Sequence, residues 1–173
     1  SDEGDYRVIL TDDVSSGPSQ VARLTVKVPP TIVIRPVGVT NAVGSTITLT
    51  VVARGSVPMG FEWRRGAVPV TNFVLMTTTS TFTILNARTN DSAVYRVVLT
   101  NAGNMNPQTN ATATVSIQQP PSILTGLTNQ TVELGASTVF QVTAVGSALF
   151  YQWRLNGDVI AGATNAALVV TNA

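Results

Sequence analysis

Apolar residues fall on every second position along much of the chain. In Thr46-Ile47-Thr48-Leu49-Thr50-Val51-Val52-Ala53, the residues Ile47, Leu49, Val51 and Ala53 lie two apart, with threonines between them. A period of two sends successive side chains to opposite faces, so a strand with one buried face is predicted here. Residues 139–144 repeat the pattern, with Phe140, Val142 and Ala144 facing inward. Residues 81–84 and 168–170 are later strands of the same kind. Residues 95–99 and 6–10 open the final hairpins, which 111–117 and 21–26 close. Gly44, Gly55, Pro58-Met59-Gly60, Gly103-Asn104 and Asn156-Gly157 supply the turns. Helical periodicity is nowhere sustained, and Val and Thr, both β-branched, favour the pleated, half-buried surface. About seven short strands per 90 residues is the signature of an antiparallel sandwich.

The pattern also repeats at domain scale. Pro29-Pro30 recurs as Pro120-Pro121, Gly44 as Gly135, Gly55-Ser56 as Gly146-Ser147, and Phe61-Glu62-Trp63-Arg64 as Tyr151-Gln152-Trp153-Arg154, each about 90 residues on. Asp2-Glu3-Gly4-Asp5-Tyr6-Arg7-Val8-Ile9-Leu10-Thr11 matches Asp91-Ser92-Ala93-Val94-Tyr95-Arg96-Val97-Val98-Leu99-Thr100. Residues 29–119 therefore read as a complete domain. Residues 1–28 read as the last two strands of a domain, and residues 120–173 as the first part of a further one. The piece wanting at one end is present at the other: Asn172-Ala173 corresponds to Asn86-Ala87, and Ser1-Asp2 to Asn90-Asp91. Residues 1–28 are expected to complement residues 122–173.

Gly44, Leu49, Ala53 and Gly55 precede Trp63, and Asp91-x-Ala93-x-Tyr95 follows it by about 30 residues. This arrangement resembles the immunoglobulin-like sandwich of the intermediate set, in the Cys-free form of long secreted bacterial repeat proteins. The resemblance covers nearly the whole chain and implies an all-β fold of antiparallel Greek-key sandwiches in tandem. It implies Trp63 and Trp153 as core tryptophans and Tyr95 and Tyr6 as corner tyrosines. It places Val51, Val97, Val142 and Val8 where family members carry the disulfide. A disulfide there would contribute roughly 2–5 kcal/mol. Opposed valines substitute apolar packing, roughly 1.5–3 kcal/mol for each fully buried side chain. Such a domain folds without oxidation.

Composition narrows the chemistry. The 173 residues include no Cys and no His, which excludes thiolate and imidazole metal ligands, disulfides and Ser–His–Asp or Cys–His catalysis. Charged residues make up only 11%, and the net charge of +1 gives no field for nucleic acid or anionic lipid. Mean hydropathy of +0.27 with so little net charge is not a disordered composition. No apolar run is long enough to enter and span a bilayer, and residues 1–28 are too polar and acidic for a secretion signal.

The remaining candidates are modest. Trp63 and Trp153 could stack a ligand, but the repeat places them at the core position. Asp2, Asp5, Asp12 and Asp13 are weak calcium candidates, since carboxylates from neighbouring domains can hold that ion. The central repeat lacks most of these acids, and Asp12-Asp13 also suits a hairpin turn. Arg64-Arg65 reads as a solvated face or a surface ion pair. Asn90, Asn110 and Asn129 each open an N-x-Ser/Thr triplet and are candidate glycosylation sites. No spacing pairs two carboxylates for acid–base work, so no catalytic residue and no cofactor is expected.

These features lead to the expectation of a structural repeat from an extracellular or cell-surface fibre, stalk or adhesin shaft. The split domain would be completed by the next copy, head to tail, or by continuous chain. Alternatives are a carbohydrate- or protein-binding module that uses loops such as 103–108 or 56–60 on cell-surface glycans or proteins, and a non-catalytic spacer in a secreted enzyme. Neither nucleic acid nor membrane insertion is expected.

Overall fold

In the computed structural model the described residues are 2–173, less the side chains of residues 104–109. Among the described residues the elements are β-strands and one 3-10 turn, at Thr89–Asp91. The first four strands are β1 (Gly4–Tyr6), β2 (Ile9–Thr11), β3 (Ser16–Pro18) and β4 (Ala22–Leu24). Next come β5 (Thr31–Ile34), β6 (Val39–Ala42), β7 (Ile47–Arg54), β8 (Met59–Arg65), β9 (Val68–Leu75), β10 (Thr79–Ile84), β11 (Ala93–Asn101) and β12 (Asn104–Gln118). The last six are β13 (Ser122–Thr125), β14 (Thr138–Gln141), β15 (Thr143–Val145), β16 (Arg154–Leu155), β17 (Asp158–Val159) and β18 (Ala167–Val170).

β5 to β12 form two sheets, one of three strands in the order β10-β7-β5 and one of five in the order β6-β12-β11-β8-β9. Sequence neighbours are not always sheet neighbours, which is the Greek-key connectivity of a sandwich. The alternation read from the sequence sets the facing. Along β7, Ile47, Leu49, Val51 and Ala53 are buried while Thr48 and Thr50 are exposed. β8 buries Met59, Phe61 and Trp63 against them, and β11 buries Tyr95, Val97 and Leu99. Trp63 lies at the centre, its Nε1 donating to Ser80 Oγ at 3.1 Å. Phe82 stacks on the indole with ring centroids 5.7 Å apart and meets Tyr95 in a tilted arrangement at 5.6 Å.

The chain divides into two compact units. Ser1–Val39, Thr48–Ile84 and Ala93–Val115 form one, which holds the Trp63 cluster and the first four strands. Thr40–Ile47, Leu85–Ser92 and Ser116–Ala173 form the other, which holds β13 to β18. Here the predicted strand over 139–144 is broken at Val142, between β14, which pairs with β18, and β15, which pairs with β13. Of the segment 151–154, which repeats the sequence of β8, only Arg154 is in a strand. β8 is held between β11 and β9, whereas Trp153 bonds on one side alone, to Ala163 and Ile160. A strand is defined by its ladder, and here half the ladder is wanting.

Candidate functional site

The terminal segments carry the same registers as the central sandwich. In β1 and β4, Gly4, Asp5 and Tyr6 face Leu24, Arg23 and Ala22. In β11 and β12, Ala93, Val94 and Tyr95 face Val115, Thr114 and Ala113. The two hairpins match at their bases, while toward the tip the register differs by one, Ile9 facing Pro18 where the equivalent Val98 faces Asn110, the counterpart of Ser19. At the other end, Ser122 and Ile123 face Val145 and Ala144, as Thr31 and Ile32 face Arg54 and Ala53. Arg154 and Leu155 face Val159 and Asp158, as Arg64 and Arg65 face Pro69 and Val68. Gly135 N donates to Ala173 O and Ala173 N to Ala136 O, as Gly44 N does to Ala87 O and Ala87 N to Ser45 O. Local interactions thus suffice to form each piece.

Burial is where the equivalent residues part. Tyr95, Val97 and Leu99 are 2%, 0% and 0% exposed, whereas Tyr6, Val8 and Leu10 are 52%, 57% and 72% exposed. Trp63 and Val51 are fully buried, but Trp153 and Val142 are half-buried. Of the residues expected in the core, only the central four are enclosed. Tyr6, Val8, Trp153 and Val142 each occupy the inward face of their segment, and among the described residues no second layer covers them. An open apolar groove of about 460 Å³ results, lined by Leu127, Phe140, Trp153, Ile160, Leu168 and Val170 among others. Apolar surface of this kind is characteristic of contact sites.

Each Pro-Pro joint is gripped in the same way. Val28 N donates to Ser56 Oγ at 2.9 Å and Ser56 N to Val28 O at 3.0 Å. Gln119 N donates to Ser147 Oγ at 2.9 Å and Ser147 N to Gln119 O at 2.8 Å. The glycine before each serine, Gly55 (φ +142°) or Gly146 (φ +154°), admits the proline segment: a Cβ would lie 2.9 Å from Pro29 O or 3.0 Å from Pro121 Cα. Asn101 completes the first joint, its Nδ2 donating to Val28 O at 2.7 Å and Ser56 O at 2.8 Å while Oδ1 accepts from Gly103 N.

Residues 29–101 match the family model described as an immunoglobulin domain. The sandwich is an immunoglobulin-type fold. Human Roundabout homolog 1 is 32% identical over 163 residues, covering 91% of this chain and 10% of that protein. Human leucine-rich repeats and immunoglobulin-like domains protein 2 is 29% identical over 154 residues, covering 85% of this chain and 14% of its own length. The chain thus spans about a tenth of the length of such relatives. Among solved structures, Sidekick-1 immunoglobulin domains 1-4 superpose with a TM-score of 0.65 at 21% identity, covering 99% of this chain and 51% of that one. DIP-gamma IG1+IG2 gives 0.61 at 15% identity, covering 83% of each chain. These matches are to tandem immunoglobulin-like β-structure. These relatives are mammalian proteins, and the expected likeness to bacterial repeat proteins is not among the findings.

Within this immunoglobulin frame the other candidate residues disperse. Asp5 pairs with Arg23 at 3.1 Å, and Asp2 offers its main-chain oxygen to the Tyr6 hydroxyl at 2.6 Å, a tyrosine-corner bond. Asp12 Oδ1 accepts from Val14 N and Ser15 N at 2.8 and 2.7 Å, bonds that hold its carboxyl below the ordinary value. Among the described residues no three acidic side chains gather around one point, so the four aspartates do not make a site within one chain. Arg64 pairs with Glu62 at 3.0 Å. Asn90, Asn110 and Asn129 are all exposed. Of the two loops considered for ligands, 56–60 is committed at Ser56 to the joint, and the side chains of 104–108 lie outside the described residues. Asn101 was missed in the sequence, where its only signal is its place at a hairpin tip before Gly103.

Proposed function

We propose that the chain is a structural repeat of an extracellular or cell-surface immunoglobulin array: a fibre, stalk or adhesin shaft, with residues 29–119 as its complete domain. Residues 120–173 form the front of a second domain, which residues 1–28 of the next copy complete head to tail, or which continuous chain completes. One observation carries this reading. Residues enclosed in the central sandwich have exposed equivalents at both ends, and the two exposed sets are the two halves of one core. The β11–β8 ladder, in which Tyr95, Val97 and Leu99 face Arg65, Trp63 and Phe61, supports the same register for the proposed contact. Tyr6, Val8 and Leu10 of one copy face Leu155, Trp153 and Tyr151 of the next. Strand addition of this kind joins copies through main-chain hydrogen bonds and buried side chains. A head-to-tail contact that does not close gives open filaments.

The chain acts through length, stiffness and contact surface, without catalysis. Low net charge allows units to lie side by side, and the gripped Pro-Pro joints stiffen the line. The test is sedimentation velocity and negative-stain electron microscopy of the purified chain across a concentration series. Concentration-dependent rods, with a blue shift of Trp153 emission and loss of both on Val8→Asp substitution, are expected. A chain that stays monomeric at every concentration refutes completion by a second copy.

A further inference from the structure

Asparagine recurs along the sequence, but only Asn156 is followed by glycine. Elsewhere the next residue carries a side chain, as in Asn41-Ala42, Asn72-Phe73 and Asn129-Gln130, and that side chain shields its own main-chain nitrogen. Asn156 and Gly157 form the two-residue tip between β16 and β17, with φ of +50° and +96°. Two positive φ values make the tight hairpin turn that favours Asn-Gly. The equivalent tip of the central domain, between Arg65 and Val68, is Gly66-Ala67, which has no carboxamide.

The tip is open and lightly held. Residues 154–159 are all exposed. Among the described residues neither the Asn156 carboxamide nor the Gly157 N–H has a hydrogen-bond partner. A Cβ on Gly157 would meet nothing within 4 Å, so the space around its nitrogen is free. The restraints are two ladder pairs, Arg154 with Val159 and Leu155 with Asp158, and the bond from Arg154 Nη1 to Gly157 O at 2.9 Å. Among the described residues β16 and β17 pair with no other strand, whereas β8, their counterpart in the central domain, is held on both sides. A lone two-stranded hairpin is marginally stable in water, so this tip opens at little cost.

We propose that Asn156 is a site of spontaneous deamidation, the chain's own one-way modification. In the opened turn the Gly157 main-chain nitrogen gives up its proton to solvent and attacks Asn156 Cγ. Ammonia leaves with the side-chain nitrogen, and a five-membered succinimide ring closes. Water then opens the ring, at Cγ to give aspartate or at the main-chain carbonyl carbon to give isoaspartate. Either product puts a new carboxylate close to Asp158. Isoaspartate also threads an extra methylene into the main chain, which a two-residue turn does not accommodate, so the β16–β17 ladder is lost. This is a property of the single chain and needs no second copy.

The intact chain is incubated in mildly alkaline buffer, folded or in guanidinium chloride, then digested and mapped by mass spectrometry with isoaspartyl methyltransferase labelling. Asn156 should convert ahead of every other asparagine, with isoaspartate as the larger product. Its rate in the folded chain should fall within about tenfold of that in denaturant, because a marginal hairpin offers little protection. Asn156→Gly, which copies Gly66, should remove the label at this tip. Conversion in denaturant but none in the folded chain overturns the proposal, since the turn then protects the residue. Conversion spread evenly over the other asparagines, or aspartate formed without isoaspartate, overturns it as well.

Discussion

Leu10 and Leu99 occupy the same place in the repeat, yet truncating them should have opposite consequences. Leu99 is wholly enclosed, so Leu99→Ala leaves a cavity in the central sandwich and should cost about 2–5 kcal/mol. For a domain of this size each kcal/mol lowers the melting temperature by about 4–8 °C, so a drop of about 10 °C or more is expected. Leu10 is 72% exposed in the single chain. Leu10→Ala should therefore leave the single chain's melting curve where it is. In the head-to-tail contact Leu10 goes from that exposure to the enclosure of Leu99, a gain of about 1–2 kcal/mol from burial. With part of the cavity cost added, the substitution should weaken association about 10- to 100-fold. Differential scanning calorimetry at a dilution where wild type is monomeric gives the first quantity, and sedimentation equilibrium gives the second. If Leu10→Ala lowers the melting temperature of the dilute chain as Leu99→Ala does, or leaves association untouched, the two-halves argument is wrong.

The joints give further tests. Gly55→Ala forces a side chain onto φ +142° with its Cβ 2.9 Å from Pro29 O, and should cost about 1–3 kcal/mol in urea unfolding. Gly4→Ala, with open space around it, is the neutral control. Asn101→Ala leaves the Val28 and Ser56 carbonyls without their donor and should cost about 1–3 kcal/mol; a change below about 0.5 kcal/mol would deny the joint its role. The carboxyl of Asp12 is held below the ordinary aspartate value by the Val14 and Ser15 main-chain bonds. The support it gives the tip is present above that value and lost as pH falls through the lowered one. Val14 and Ser15 amide shifts, followed by NMR, should titrate with a midpoint below that of an ordinary aspartate.

Much of the fold was legible in the chain alone. Alternating residues such as Ile47, Leu49 and Val51 dictate a one-sided strand, because pleating leaves them no other arrangement. The recurrence of Gly44 as Gly135, and of Trp63 as Trp153, announced the repeat, since equivalent turns and core positions demand the same residue types. The hairpins at residues 6–26 and 95–117 followed too, because they depend on contacts close in sequence. Burial did not follow. Tyr6 and Tyr95 sit in the same local sequence and in the same hairpin, but enclosure depends on a second layer that distant residues supply. The joint was equally hidden: Asn101, Val28 and Ser56 converge only when three separate segments are brought together in space. What a residue is determines the strand it makes; what lies opposite that strand is a long-range property, and it alone separates a core from an interface.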